Sequence, residues 1–140
     1  MNWKRIAITV VALTVLMAVL ETIINQLLLS EIYGSLSDLW RPAPDLGAKA
    51  YIFIVIYVAT AASITGIFTA FELKHTTWAT GAVVGAWFGV LARFFYGYTN
   101  YIVLPIPHLL AFLWFALGAI ECVVLGIVAQ RMLAGRSTSQ

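Results

Sequence analysis

Three ionisable side chains, Glu21, Arg93 and Glu121, stand inside segments that are otherwise apolar enough to cross a membrane. A charge at mid-bilayer costs at least ~2.5 kcal/mol on insertion scales, so such a residue turns toward other helices and takes a partner. Two carboxyls and a guanidinium in that setting can do two kinds of work. They can clamp helices together as an ion pair, or they can hold and exchange a proton or a cation. Asn25 lies one helical turn beyond Glu21 on the same face, with Gln26 beside it, which makes this part of the chain unusually polar.

Depth follows from spacing. Glu21 is fifteen residues past Ile6 and Arg93 is fifteen past Trp78, where their apolar segments begin. At a rise of ~1.5 Å per residue the two reach the same level, so an ion pair between them is easy. Tyr57 on the second segment reaches a similar level. Glu121 runs back in the opposite direction and falls about 8 to 10 Å deeper by the same rise, near Thr60 and Ser63. Arginine can lean toward either carboxylate but fully neutralises one. The expectation is that Arg93 holds Glu21, leaving Glu121 without a cation and as the carboxyl that keeps a proton at neutral pH.

These residues are positioned by four apolar runs, each long enough for the ~20 helical residues that span a bilayer. The chain has 140 residues, 62% hydrophobic and 10% charged, with mean hydropathy +0.95. Soluble domains carry roughly 25% charge, so a water-soluble globular fold is excluded. The predicted fold is all-α: one transmembrane domain over residues 1–140, a four-helix bundle with helices about 6–29, 49–71, 78–100 and 108–130. Lys4 and Arg5 before an apolar stretch resemble a secretory signal, but no small-x-small cleavage site follows and the run continues to Leu29, so a retained helix is expected.

Orientation comes from the basic residues. With the amino terminus inside, Lys4, Arg5, Lys74, Arg131 and Arg136 face the cytoplasm and Arg41 and Lys49 face outward. Both termini are therefore expected in the cytoplasm, the expected location being a bacterial inner membrane. In the first outer loop, Ile32, Leu36, Leu39 and Trp40 fall at helical spacing, which predicts a short interfacial helix stopped by Pro42 and Pro44. That element would be an ordered cap or a lid over an outward cavity.

Small residues recur every four positions at Gly81, Gly85 and Gly89, a row that Arg93 and Gly97 continue. Gly118, Cys122 and Gly126 repeat the pattern on the fourth helix, and Ala62, Gly66 and Ala70 on the second. Such rows let helix backbones approach closely, within the bundle or in a homodimer. They would also leave room beside Arg93 for a ligand.

The net charge of +2 offers no basic stripe, so nucleic acid is not an expected partner. Cys122, His75 and His108 are scattered, without metal-ligand spacing, and no cofactor is expected. No Ser/His/Asp or Cys/His set assembles, which argues against an enzyme. His108 has the ordinary pKa range of a pH sensor and the commoner role of an interfacial polar residue.

The segment Leu39-Trp40-Arg41-Pro42, with Tyr33 upstream and Pro105-Ile106-Pro107 later, resembles a group of small uncharacterised bacterial four-helix membrane proteins over most of the chain. That group has no activity to carry over. Glu21 in the first helix is also similar in place to the essential glutamate of the small multidrug resistance transporters. Those proteins have shorter chains, a tighter first loop and no partner like Arg93, so their function does not transfer. Two functions remain open. The first is transport or permeation of a proton, cation or small polar solute, with Glu21, Asn25, Tyr57, Arg93 and Glu121 as the ion or ligand pathway and Gly81, Gly85, Gly89, Gly118 and Gly126 as packing positions. The alternative is a non-catalytic accessory or assembly subunit. Besides the lipid bilayer, the partner would be a second copy or a larger membrane complex.

Overall fold

A computed structural model of the protein describes residues 2–73 and 76–134. Lys74, His75 and Arg136, which enter the sequence reading above, lie outside the described residues. Those described form helices and connecting turns, with no strand among them. Four helices are long and apolar enough to cross a membrane, which makes this a multi-pass membrane protein by architecture. They are α1 (Trp3–Thr22, continued by a π-helical stretch Ile23–Leu28), α4 (Ala50–Ala70), α5 (Trp78–Val103) and α6 (His108–Leu133). Two short helices, α2 (Ser30–Ser35) and α3 (Ala43–Ala48), lie between α1 and α4.

The helix ends have local causes. Asn2 caps α1 by accepting the Arg5 backbone N–H at 3.2 Å. The Thr9, Thr14 and Thr22 hydroxyls inside α1 donate to carbonyls four residues back, at 2.9, 2.8 and 2.7 Å, so none needs water in an apolar surround. Helix α5 runs on to Val103 and stops at Leu104, the residue whose helical conformation Pro105 disfavours. Helix α4 closes through Glu72, whose φ of 52° is the left-handed conformation that commonly ends helices.

The first connection is more broken than its apolar spacing suggests. The helix lasts only over α2, gives way to a 3-10 turn at Ser37–Leu39, and becomes extended at Trp40. Pro44 does not end a helix. It sits in the first turn of α3, where its missing N–H is no loss.

Helices α1, α4 and α6 share one core, built on Leu13, Met17, Ile64, Phe68 and Leu125. A second cluster covers the far end, where Leu29, Ile106 and Leu110 meet Tyr33, Leu36, Trp40 and Trp114. This is the cap end. At the opposite end Arg5 donates through Nε to the Met132 carbonyl at 2.7 Å and through Nη2 to that of Ala134 at 3.4 Å. The cation satisfies carbonyls that the end of α6 leaves free, and it holds the start of α1 beside the end of α6.

Helix α5 packs along α6 and makes few contacts with the other long helices. The seam is glycine on both sides. A Cβ built on Gly89 would lie 2.8 Å from Ala119 Cα, one on Gly97 2.7 Å from the Ala111 carbonyl oxygen, and one on Gly81 2.7 Å from that of Gly126. Gly85 and Gly126 are equally tight, each against backbone of the other helix. The third small-residue row behaves differently. Ala62, Gly66 and Ala70 face outward on α4, and a Cβ on Gly66 would meet nothing within 4 Å.

The two kinds of glycine should separate by mutation. Gly85→Ala is expected to lower stability by about 1–3 kcal/mol, because backbone must move to admit the methyl. Gly66→Ala is expected to be neutral or stabilising by up to about 1 kcal/mol, the helix-propensity gain. Thermal unfolding of the detergent-solubilised variants measures both.

Candidate functional site

The apolar helices bring Glu21, Arg93 and Glu121 into direct contact. One nitrogen, Arg93 Nη2, donates to Glu21 Oε1 at 2.8 Å and also to Glu121 Oε2. Three helices, α1, α5 and α6, are thereby joined at one atom. The expectation that the guanidinium serves a single carboxylate, leaving Glu121 without a cation, does not hold. The reason is the path of the arginine stem. It lies across Gly118, where a Cβ would come within 2.6 Å of Arg93 Cδ and 2.7 Å of Cγ. Gly118 is three residues before Glu121 on α6, so the stem covers the difference in depth that rise per residue assigns to the backbone. The space opened by this glycine is filled by Arg93 itself.

The two carboxyls are not equivalent. The Glu121 side chain is 1% exposed, against 16% for Glu21 and 19% for Arg93. Glu121 Oε1 has no hydrogen-bond partner among the described residues. Glu21 is fully engaged: Asn25 Nδ2 donates to its Oε2 at 2.6 Å and to its backbone carbonyl at 2.9 Å. The π-helical stretch begins just after Glu21 and contains Asn25, with Leu29 N–H bonding to the Ile24 carbonyl at 2.9 Å. Single π turns of this kind widen a helix where a side chain needs a particular direction.

The polar contacts continue toward the cap end. The Tyr33 hydroxyl donates to Asn25 Oδ1 at 2.6 Å and accepts from Trp114 Nε1 at 2.7 Å. Trp40 Nε1 donates to the Tyr33 backbone carbonyl at 3.1 Å. The Tyr33 and Trp40 rings meet edge to face at 5.4 Å, and the Tyr96 and Trp114 rings lie 5.3 Å apart. A line of hydrogen bonds thus runs from Trp114 through Tyr33 and Asn25 to Glu21, Arg93 and Glu121. Tyr33 and Trp114 did not emerge from the sequence as site residues, because spacing along a helix shows nothing of a contact between aromatic residues 81 positions apart.

Other candidates stand apart. Tyr57 lies on the core-facing row of α4 within electrostatic range of the trio, without a hydrogen bond to it among the described residues. Ser63 is exposed and bonds only its own helix, at the Ala59 carbonyl 2.8 Å away. His108 sits at the cap end between the Tyr98 and Tyr101 rings, 5.8 and 5.6 Å away. Surface recesses of about 340 and 310 Å³ lie at the two ends of the bundle, the first beside Arg5 and Met132, the second beside Leu36 and Pro105. Neither is lined by the trio. No cluster with metal-ligand character occurs among the described residues.

Burial of Tyr33 in the cap pushes its phenol from 10.0 up to about 12, with the Trp114 N–H opposing the shift and the nearby Tyr96 and Glu21 adding to it. The folded value lies above the unfolded one. The associated stability is therefore present in full below pH 10.0 and is lost as pH rises toward about 12. Tyrosinate absorbance is expected to include a late-titrating phenol that Tyr33→Phe removes, and the folded cap should loosen as that phenol ionises.

No protein family, curated protein or solved structure matches the chain, so its role has to be read from the chemistry of the site.

Proposed function

We propose that the chain is a small multi-pass protein of a bacterial inner membrane, both termini cytoplasmic, that passes a proton, a cation or a small polar solute by way of the Glu21–Arg93–Glu121 cluster. The observation that carries this reading is the bridge itself. One guanidinium between two carboxyls leaves a surplus negative charge when both ionise. The sealed carboxyl, Glu121, keeps an oxygen with no hydrogen-bond partner among the described residues. An unpaired charge in that setting is costly, so the site takes up a proton or a small cation. Glu121 is the exchanging group, Arg93 the fixed counter-charge, and Glu21 with Asn25 the anchor that holds Arg93 in place. In this topology α2, the 3-10 turn and α3 lie at the outer interface as a cap over the cluster.

One observation favours a second reading, an accessory or assembly subunit of a larger membrane complex. The cap-end half of α4 is exposed from Tyr51 to Ile56, and in its small-residue row a Cβ on Gly66 would meet nothing within 4 Å among the described residues. A second copy or a partner helix would cover that face, and the charged cluster would then serve to fix helix register.

Proton flux decides between them. In proteoliposomes with a trapped pH-sensitive dye and an imposed potassium diffusion potential, the parent protein is expected to conduct protons. Glu121→Gln should keep the helical circular dichroism and lose flux by at least about tenfold, since an amide cannot carry the exchangeable proton. Gly118→Ala should also reduce flux, by shifting the Arg93 stem without removing a charge. A parent without proton flux sinks the proton-transport reading, and flux that survives Glu121→Gln sinks the assignment of the exchange to Glu121. Arg93→Ala is a poor test, because a bare buried carboxylate costs about 3–5 kcal/mol in stability whatever the function.

A further inference from the structure

The hydrogen bonds on the cap side of the cluster have a fixed direction. An indole N–H only donates, so the Tyr33 oxygen must accept from Trp114 at 2.7 Å. The single Tyr33 hydrogen is then free for Asn25 Oδ1, 2.6 Å away. That fixes the Asn25 amide with its oxygen toward Tyr33 and its nitrogen toward Glu21, where it donates at 2.6 Å to Oε2 and at 2.9 Å to the backbone carbonyl. Arg93 donates to the other oxygen of Glu21 at 2.8 Å. Glu21 therefore meets a donor at each carboxylate oxygen.

A proton on Glu21 Oε2 would face the Asn25 N–H, donor against donor. Turning the Asn25 amide over would relieve that contact and break the rest. The bond to the Glu21 backbone carbonyl would be lost. Tyr33 would meet donors from both sides, and its own hydrogen would have no acceptor, because Trp114 cannot accept. A buried donor left without a partner costs the full desolvation of the group. The chain of bonds is complete in one protonation state only, with Glu21 as the carboxylate. Glu121 differs, since its Oε1 has no partner among the described residues and can take a proton without breaking a bond seen there.

We infer that Trp114, Tyr33 and Asn25 are positioning residues that hold Glu21 as the carboxylate and so assign the exchangeable proton of the cluster to Glu121. The inference rests on the proposed reading of the cluster as an exchange site and divides the work within it. The groups that face Glu21 from the packed elements are Arg93 and Tyr96 on α5, Glu121 and Cys122 on α6, Tyr57 on α4 and Tyr33 on α2. Arg93 is the one cation in that set and reaches both carboxyls, so it does not choose between them. The choice comes from the one-way donor chain, whose direction is set more than 90 residues away in sequence by an indole.

Infrared spectroscopy of the lipid-reconstituted protein at neutral pH reads the inference directly. The parent is expected to show the carbonyl band of about one buried protonated carboxyl per chain. Glu121→Asp should shift that band and Glu21→Asp should leave its position unchanged, since both variants keep two carboxyls beside one guanidinium. Tyr33→Phe keeps the ring packing and removes only the hydroxyl. Asn25→Leu removes the direct donor at similar volume. In either variant Glu21 is freed to share the one proton, and the band should gain a second component from Glu21, while the helical circular dichroism matches the parent. The inference is overturned by a parent without the band, by a band that shifts in Glu21→Asp, or by a band unchanged in Tyr33→Phe. The outcome is independent of flux. A parent protein that conducts no protons removes the transport reading, whereas an unmoved band in Tyr33→Phe removes only the positioning chain.

Discussion

The structure depends on one guanidinium nitrogen. Arg93 Nη2 carries two hydrogens and gives one to a carboxyl of α1 and one to a carboxyl of α6. Helix α5 packs on α6 and makes few other contacts with the long helices, so this link is its principal tie to α1. In a hydrocarbon surround no water replaces a lost polar partner, and such a link is worth more than its counterpart on a soluble surface. The glycine seam between α5 and α6 makes the link reachable. Gly81, Gly85, Gly89 and Gly97 bring the backbones together, and Gly118 leaves a trough for the arginine stem. A side chain at 118 would hold the guanidinium away from Glu121 even with every charge still present.

From that atom the order spreads toward the cap. Asn25 is reached because the helix widens into a π stretch just after Glu21, and Tyr33 is reached because α2 turns back over the end of α6. Trp40 then bonds the backbone of Tyr33, and Trp114 its side chain. The cap is therefore more than apolar cover. The part-buried Tyr33 hydroxyl is the hinge between the aromatic cluster and the charged one, and the geometry of each constrains the other.

Much of this was legible in the sequence, for physical reasons. Charges in apolar runs are costly enough that Glu21, Arg93 and Glu121 had to mark the polar interior, and the spacing of Glu21 and Asn25 put them on one face. The four long apolar helices followed from composition and run length. Three things could not be read. Counting rise per residue gives backbone depth, so it could not show that Arg93 would lie along Gly118 and reach Glu121. Periodicity finds small-residue rows without naming their partners, so the α4 row looked like those of α5 and α6 although it faces outward. Tyr33 and Trp114 are 81 residues apart and share no helical spacing, and only the return of α2 over α6 makes them one bond.

The uneven exposure of the trio has a consequence for how exchange would work. Glu121 is sealed, while Glu21 and Arg93 keep part of their side chains accessible. A proton moving between Glu121 and the cap side passes the guanidinium, which is a fixed positive charge and an electrostatic barrier to it. Exchange on the proposed reading therefore requires Arg93 to move off Glu121 while keeping Glu21. The bonds are arranged for that asymmetry. Glu21 is braced by Asn25 and, through it, by Tyr33 and Trp114, whereas the free oxygen of Glu121 has no second holder. The partner held by the fewer bonds is the one the guanidinium leaves first.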